Sequence, residues 1–352
     1  SLPRSNSHTK IMRKFTILFT TLSFWSLGNV FTQEAPSQSV GVARLTPEVR
    51  TAINKGLEYL AKDDLQRADG SWGGDQNRVA ETSLTLMAFM LQGHVPGRGQ
   101  YGRAMENAIS FLLNVGQNQR GYLGTPRNHA GMYEHGLAVL ALSEAWGQSK
   151  NPRIKSALTR AVDITLRAQN REGGWRYSPE PRDADLSMTV MQLVALNSAS
   201  EAGIAVPQAT IDKAAEYVIS CQDLSSGGFK YTPGGGEPNF ARTAAGVMSL
   251  IMCGQRDQKP TQRGIAFLKA FPESKFKSTN HFHYAHYYAV QSMYQSGDAD
   301  FRAWYPKISA EIVAKQNKND GSWSGSYGQA YGTSLSILIL GVPYRYLPIY
   351  QR

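Results

Sequence analysis

The segment QNREGGW at residues 169–175 is the most informative part of the chain, because related segments recur along the sequence. Other copies are QRADGSW at residues 66–72, QDLSSGGF at residues 222–229 and QNKNDGSW at residues 316–323. A shortened copy, QNQRGY, occupies residues 117–122. Each copy begins with glutamine, contains glycine and ends on an aromatic residue. Recurrence at a nearly fixed period indicates a repeat architecture.

The aromatic residues that end these copies set the period. From Trp72 to Phe229 successive ones are 50, 53 and 54 residues apart, and Trp323 follows Phe229 after 94 residues. The last interval holds two steps of 47 residues, and a sixth aromatic stands at its midpoint. We therefore predict six units with aromatic residues at equivalent positions: Trp72, Tyr122, Trp175, Phe229, Phe276 and Trp323.

Two helices of different character accompany each copy. Residues 47–62 carry an apolar stripe that includes Ile53 and Leu57 beside charged residues, which is typical of an amphipathic outer helix. Helices that follow the copies, such as residues 335–340, are apolar nearly all round and should be buried on every side. We predict an all-α fold, an α/α6 toroid in which six hairpins form a double ring over residues 45–342.

Prolines and cysteines agree with this hairpin arrangement. Pro152, Pro207 and Pro260 fall where new outer helices should begin, and proline suits the first turn of a helix. Cys221 ends an outer helix and Cys253 ends the next inner helix, about 20 Å further along at 1.5 Å per residue. That separation is too long for a disulfide, so we predict two free thiols.

Part of the formal positive charge of the chain lies in its first 33 residues. The 352 residues carry a formal net charge of +10, but four of the positive charges lie in residues 1–33, which contain no acid, so +6 remains. The remaining basic residues are spread out, which argues against a nucleic-acid partner.

The first 33 residues have the layout of a secretory signal peptide. Met12, Arg13 and Lys14 precede a short, mostly apolar run at residues 15–27. We expect a signal region at residues 1–33 with its true start at Met12, and a secreted or periplasmic protein. The run is too short to span a membrane, and no later segment reaches transmembrane length without charges. Residues 343–352 are predicted to be a C-terminal tail.

The repeated loop resembles the QW motif of squalene and oxidosqualene cyclases. The first unit is the fullest copy, with Lys55-Gly56 and Tyr59-Leu60 followed by Gln66, Gly70 and Trp72. The resemblance covers about residues 45–340. It implies the terpenoid cyclase and protein prenyltransferase toroid superfamily, whose members use a central funnel for hydrophobic, isoprenoid-like ligands.

The resemblance also suggests catalytic residues. Squalene cyclases are similar to one another in an Asp-x-Asp-Asp-Thr-Ala segment, and Asp183 and Asp185 match its first two acids, while Leu186 replaces the third. The resemblance implies that Asp185 is the proton donor. Protein prenyltransferases bind zinc through an Asp-x-Cys pair, which residues 239–243 lack. We therefore expect no metal and no cofactor.

In such a ring the inner helices all start at one end, so their first turns surround one mouth of the funnel. The polar and aromatic residues predicted there are Glu81, Tyr133, Glu134, His135, Asp183, Asp185, Glu237, Arg242, His281, His283, His286, Tyr327 and Tyr331. The predicted ligand-binding residues among them are Glu134, His135, Arg242, His283, His286 and Tyr331. Convergence of such groups on one cavity is typical of a binding site.

Each candidate also has a structural interpretation. Asp183 or Asp185 would suit the N-cap of the helix that follows. The histidines could instead form hydrogen bonds with neighbouring residues inside the packed ring. Arg242, a charge at the start of an apolar helix, needs a partner, which Asp185 or Glu237 could supply.

Three functions remain open from the sequence. The first is an enzyme or binding protein for a hydrophobic, isoprenoid-like small molecule or lipid. The second is a non-catalytic interaction scaffold of the cell envelope, favoured by the incomplete catalytic segments. The third is a polysaccharide-active enzyme, because other α/α toroids have that activity and paired carboxylates suit it.

Overall fold

The computed structural model describes residues 45–126, 130–149 and 151–344, and these form twelve α-helices. The helices are α1 Pro47–Leu60, α2 Arg78–Leu91, α3 Gly102–Asn118, α4 Gly131–Gln148, α5 Pro152–Ala168, α6 Leu186–Glu201, α7 Gln208–Ser220, α8 Phe240–Met252, α9 Lys259–Lys269, α10 Phe282–Ser296, α11 Asp298–Ala314 and α12 Gln329–Gly341. Short 3-10 helices span Glu273–Ser278 and Val342–Tyr344. The predicted signal region and residues 345–352 lie outside the described residues.

The even-numbered helices form a closed inner ring. Each packs against the next even-numbered helix, and α12 packs against α2. The odd-numbered helices lie outside them, and each packs mainly on the inner helix that precedes it in the chain; for α1, that helix is α12. The predicted α/α6 toroid is confirmed.

Burial explains the two sequence patterns. Nearly every residue of α2 and α12 is buried, whereas α5 buries one face that includes Ile154 and Leu158. The prolines mark outer-helix starts as predicted, since Pro152 is the first residue of α5, Pro207 precedes α7 and Pro260 is the second residue of α9. No helix in the described ranges combines the length and apolarity needed to cross a bilayer.

The repeated glutamines join neighbouring hairpins. The Nε2 atom of each donates to two backbone carbonyls, one in its own loop and one near the start of the next outer helix, at 2.7–3.0 Å. The glutamines are Gln66, Gln169, Gln222 and Gln316. Because the carbonyl reached by Gln316 belongs to Ala52 of α1, the last repeat is tied to the first.

A second set of contacts fixes each loop to its inner helix. The backbone N–H of the loop aromatic donates to a threonine hydroxyl on that helix at 2.9–3.1 Å in four units. In the second unit a histidine Nδ1 accepts the equivalent bond at 3.0 Å, and in the fifth a histidine Nε2 lies 3.3 Å from the Phe276 carbonyl. We call these six the lock residues: Thr82, His135, Thr189, Thr243, His286 and Thr333.

The lock contacts correct one predicted position. In the second unit the N–H that His135 accepts belongs to Leu123, so Leu123, not Tyr122, occupies the aromatic position. Gly121, with φ of 104°, then matches Gly173, with φ of 96°. Leu123 is fully buried, so this unit keeps a buried apolar side chain at the position but lacks an aromatic ring there.

The remaining aromatic predictions agree with the structure. Trp72, Trp175, Phe229 and Trp323 are buried at equivalent lock contacts. Phe276 is also buried, but it lies in a 3-10 helix and not in a glutamine loop.

Both cysteines are free, as predicted. Burial, the main cause, raises the pKa of the Cys221 thiol to about 12 and that of Cys253 to about 11. Neither thiol is therefore activated for reaction.

Candidate functional site

A cavity of about 330 Å³ lies at the end of the ring where the inner helices begin. The first turns of all six inner helices, or the residues just before them, contribute to its wall. The described lining includes six tyrosines: Tyr133, Tyr177, Tyr231, Tyr284, Tyr327 and Tyr331. The predicted mouth of the ring is thus a cavity whose wall is rich in tyrosine.

Contacts between the tyrosines shape this cavity. Tyr133 on α4 and Tyr284 on α10 come from opposite sides of the inner ring, and their ring centroids are 6.4 Å apart. Tyr331 makes an edge-on contact with Tyr327 at 5.1 Å. The hydroxyl groups of Tyr177 and Tyr231 lie 2.7 Å apart. Rings from several helices therefore hold one another in place, which preorganises the walls.

Tyr331 is the tyrosine among the predicted ligand-binding residues, and it lines the cavity. Tyr177 and Tyr231 were missed. Both lie two residues after a repeat aromatic, Trp175 and Phe229, and that shared spacing was the available signal.

Glu81 is a buried acid of the cavity wall with a raised pKa. It is only 2% exposed, and its Oε1 atom has no hydrogen-bond partner among the described residues. Burial raises the pKa of Glu81 to about 7, although the backbone N–H groups of Gly74 and Tyr331 oppose the shift. Glu81 was placed at the mouth from the sequence but was not among the predicted ligand-binding residues.

Glu134, a predicted ligand-binding residue, also lines the cavity. Its Oε2 atom accepts a hydrogen bond of 2.7 Å from the backbone N–H of Thr125. Glu81 and Glu134 come from the neighbouring inner helices α2 and α4, so two carboxyl groups share one side of the cavity.

Arg242 lines the cavity from α8, opposite α2 in the ring. One terminal nitrogen donates to the backbone carbonyl of Glu237 at 2.5 Å, and the guanidinium carbon lies 5.9 Å from the Tyr231 ring centroid. The expected ion pair with Asp185 or Glu237 is not formed. Asp185 pairs with Arg176 instead.

Asp185 is fully buried and is not among the lining residues. One carboxylate oxygen caps α6 by accepting from the Met188 N–H at 2.9 Å, and the other pairs with Arg176 at 3.0 Å. Burial is the main cause that raises the pKa of Asp185, and the Met188 N–H and Arg176 oppose it. Asn239 caps α8 in the same way, which identifies the position as a helix cap.

Asp183 also contributes to the pairing of Arg176. Its carboxylate lies 3.3 Å from the Arg176 Nε atom, and its side chain is 69% exposed. Asp183 is not among the lining residues either, so neither predicted catalytic aspartate faces the cavity.

The three histidines among the predicted ligand-binding residues do not line this cavity, whereas His281, which was predicted at the mouth, does. His135 and His286 are lock residues, fully buried against the outer layer of the ring. His135 accepts at Nδ1, so its Nε2 carries the proton that it directs to the Ala161 carbonyl and the Thr165 hydroxyl, each 3.1 Å away. Burial lowers the pKa of both residues to about 4, which keeps the rings neutral.

His283 faces a second cavity of about 380 Å³, together with Phe282, Lys277 and Lys315. Its Nε2 atom lies 3.2 Å from the Ser336 hydroxyl. Burial is the main cause that lowers the pKa of His283 to about 4. No group of three or more histidine, cysteine, aspartate or glutamate side chains is arranged to hold a metal ion in the described ranges.

Comparisons with known proteins agree with this architecture. A family profile described as the prenyltransferase alpha-alpha toroid domain matches residues 193–320. A drimenyl diphosphate synthase from Streptantibioticus cattleyicolor is 29% identical over 140 residues, which are 38% of this chain and 25% of that protein. The matched segment thus spans about a quarter of that relative's length.

Solved structures share the fold at low identity. The type II terpene cyclase MstE from Scytonema is 16% identical with a TM-score of 0.60, over 86% of this chain and all of that chain. Together these comparisons support a likeness to the terpenoid cyclase and prenyltransferase toroids, with the profile match confined to residues 193–320.

Toroids with other activities are also similar. The alpha-1,6-mannanase GH76A from Salegentibacter sp. HEL1_6 is 10% identical with a TM-score of 0.61, over 83% of this chain and 98% of that chain. Cellobiose 2-epimerase from Bacillus thermoamylovorans is 13% identical with a TM-score of 0.62, over the same shares. These likenesses establish the fold alone, and a function has to be argued from the cavity residues.

Proposed function

We propose that this chain binds an apolar, isoprenoid-like ligand in the cavity at the mouth of the ring. The observation that carries the proposal is the tyrosine-rich wall, which also includes apolar side chains such as Leu137 and Met188. Preformed pockets with apolar walls and a few polar groups are typical ligand sites. Two names among the similar proteins, a drimenyl diphosphate synthase and a type II terpene cyclase bound to geranylgeranyl dihydroxybenzoate, support an isoprenoid-like ligand.

Binding is favoured over cyclisation that begins with protonation of an alkene. That reaction needs a strong acid, and a carboxyl group with a raised pKa, such as Glu81, holds its proton more tightly than usual. Asp185, which matches the donor of squalene cyclases, is bound to a helix N-terminus and to Arg176 behind the cavity wall. Neither acid is arranged as a strong proton donor.

A fluorescence titration of the folded chain with farnesol tests the proposal. We expect saturable binding that Tyr284→Ala weakens about 10- to 100-fold, since losing a buried ring costs about 1.5–3 kcal/mol. The matched variant Tyr284→Phe keeps the ring and should stay within about threefold of the wild type. Absence of saturable binding, or equal binding by the wild type and Tyr284→Ala, would show that the proposal is wrong.

A carbohydrate-active function is the second candidate because Glu81 and Glu134 line one side of the same cavity. Two carboxyl groups at a site suit glycoside chemistry. The similar mannanase was solved with alpha-1,6-mannotetrose, so the same titration should include that oligosaccharide and cellobiose. Saturable binding of a sugar without binding of farnesol would favour this function. Binding of neither would favour the scaffold.

We further propose that the chain is exported, on the basis of the signal-like pattern at residues 12–33. Fusing residues 12–44 to a reporter that is active only outside the cytoplasm tests this. Reporter activity that disappears when Arg13 and Lys14 are replaced by glutamate is the expected result. Activity that is absent from the unaltered fusion would contradict it.

A further inference from the structure

Arg242 carries a positive charge that the described part of the chain does not neutralise. Its Nε atom is buried and has no hydrogen-bond partner, and no carboxylate of the described residues lies within ion-pair distance. One terminal nitrogen donates a hydrogen bond to an uncharged group, the backbone carbonyl of Glu237. Arg242 is a half-buried residue of the cavity wall, and its charge with the unpartnered Nε atom makes it suited to bind an anionic group that enters the cavity.

The neighbouring Arg176 shows what a neutralised arginine looks like in the same region. It pairs with Asp183 at 3.3 Å and with Asp185 at 3.0 Å. Its guanidinium carbon lies 5.4 Å from the Tyr231 ring centroid, and that of Arg242 lies 5.9 Å from the same centroid. Two arginines thus share one tyrosine, and the chain supplies carboxylates to only one of them within the described ranges.

We propose that the ligand of this cavity is a monoanionic amphiphile, whose carboxylate head binds Arg242 and whose apolar body lies against the tyrosines. This inference rests on the function proposed above. A guanidinium presents planar N–H donors that match the two oxygens of a carboxylate. Tyr231, beside Arg242, and Tyr284 on the next inner helix provide aromatic surface for the apolar body.

The charges of the cavity favour a carboxylate over a diphosphate. Arg242 is the one arginine or lysine among the described lining residues, and Glu81 and Glu134 line the same space. One positive charge balances a carboxylate but cannot balance the several charges of a diphosphate. The carboxyl groups of the cavity would repel those extra charges as soon as they ionise.

The test compares three probes with the same hydrocarbon chain: farnesol, farnesoic acid and farnesyl diphosphate. They are titrated at pH 7.5 into the wild type, Arg242→Met and the control Arg182→Met. The control removes an exposed positive charge outside the cavity. We expect the wild type to bind the acid at least about tenfold more tightly than the alcohol, because charge-assisted hydrogen bonds stabilise the acid alone.

Arg242→Met should abolish this preference for the acid and leave farnesol within about twofold, whereas Arg182→Met should keep the preference. Circular dichroism melting verifies that both variants are folded. Equal binding of acid and alcohol by the wild type, or an equal loss for both in Arg242→Met, would overturn the inference and leave the proposed function standing. Tighter binding of the diphosphate through Arg242 would overturn the carboxylate assignment. If no probe binds the wild type, the proposed function fails as well.

Discussion

Replacing Glu81 by glutamine should change how the stability of the protein depends on pH. Glu81 is almost completely buried in the cavity wall, and burial raises its pKa from an ordinary 4.5 to about 7. In the unfolded chain the same carboxyl group regains an ordinary pKa. The native state therefore holds this proton more tightly than the unfolded state, and folding and protonation are linked.

The sign and size of the effect follow from that difference. The stability that the protonated carboxyl provides is fully present below pH 4.5 and is lost as the pH rises through about 7. A pKa difference of about 2.5 units corresponds to about 3 kcal/mol of unfolding free energy. For a domain of about 300 residues, that is about 5 °C in Tm. Glutamine stays neutral at every pH, so the variant lacks this loss.

Differential scanning calorimetry at several pH values between 5 and 8 measures the prediction. The quantity to follow is the Tm of Glu81→Gln minus that of the wild type, because the other titrating groups cancel in this difference. It should rise by about 4 °C across the range, since part of the change falls below pH 5. Glu216→Gln, which alters an exposed carboxyl group, should give a nearly constant difference. Parallel Tm curves for Glu81→Gln and the wild type would refute the reasoning.

Four further outcomes are expected. Gln316→Ala removes both hydrogen bonds that tie the last repeat to the first, so urea unfolding should show a loss of about 2 kcal/mol, and unchanged stability would contradict the closure. His135→Ala should cost about 2 kcal/mol at neutral pH and leave farnesoic acid affinity within twofold, with a cost that shrinks between pH 6.5 and 4 as the unfolded histidine takes up a proton first. Asp185→Asn should cost about 1 kcal/mol in thermal unfolding and leave that affinity unchanged, because asparagine caps the equivalent helix of the next repeat; loss of binding would restore Asp185 as a site residue. Cys221 and Cys253 should react with a thiol reagent only after denaturation, releasing two equivalents, and a count of none would refute free thiols.

The ring could be predicted from sequence because its joints use local, repeated residues. Each glutamine lies four or five residues before the loop carbonyl it bonds, and it reaches the next hairpin with the other N–H of the same amide, as Gln66 and Gln169 do. One short segment therefore encodes both the loop and its junction with the next unit. Closure of the ring needed no separate signal, since Gln316 repeats the same contact with α1.

In the second unit the motif predicted the wrong residue at the aromatic position. Tyr122 was predicted because it is aromatic, but the backbone register is set by Gly121 and by the N–H of Leu123, which donates to the lock residue His135. His135 was misread for a related reason. In the sequence, a histidine at a lock position resembles a polar residue of the funnel. Its hydrogen bonds show instead that it faces the outer helices.

The candidate site was only partly predictable because its charges are balanced between repeats. Arg176 follows the loop of one unit, touches Tyr231 of the next and occupies the two aspartates that were assigned to catalysis. Such contacts join loops that are distant in sequence, and no spacing rule encodes them. Because Arg176 pairs with both aspartates, neither of them is left to neutralise Arg242.

Position along the inner helices nevertheless distinguishes the lock residues from the residues that line the cavity. Successive residues of an α-helix point about 100° apart, so a residue two places before a lock residue points to the opposite side. The lock faces the outer layer, and the residue two places earlier must then face the axis of the ring. All six such residues line the cavity: Ala80, Tyr133, Ser187, Ala241, Tyr284 and Tyr331. Changes at these positions can reshape the cavity without loosening the ring, because the hydrogen bonds that hold each hairpin lie on the other face of the helix.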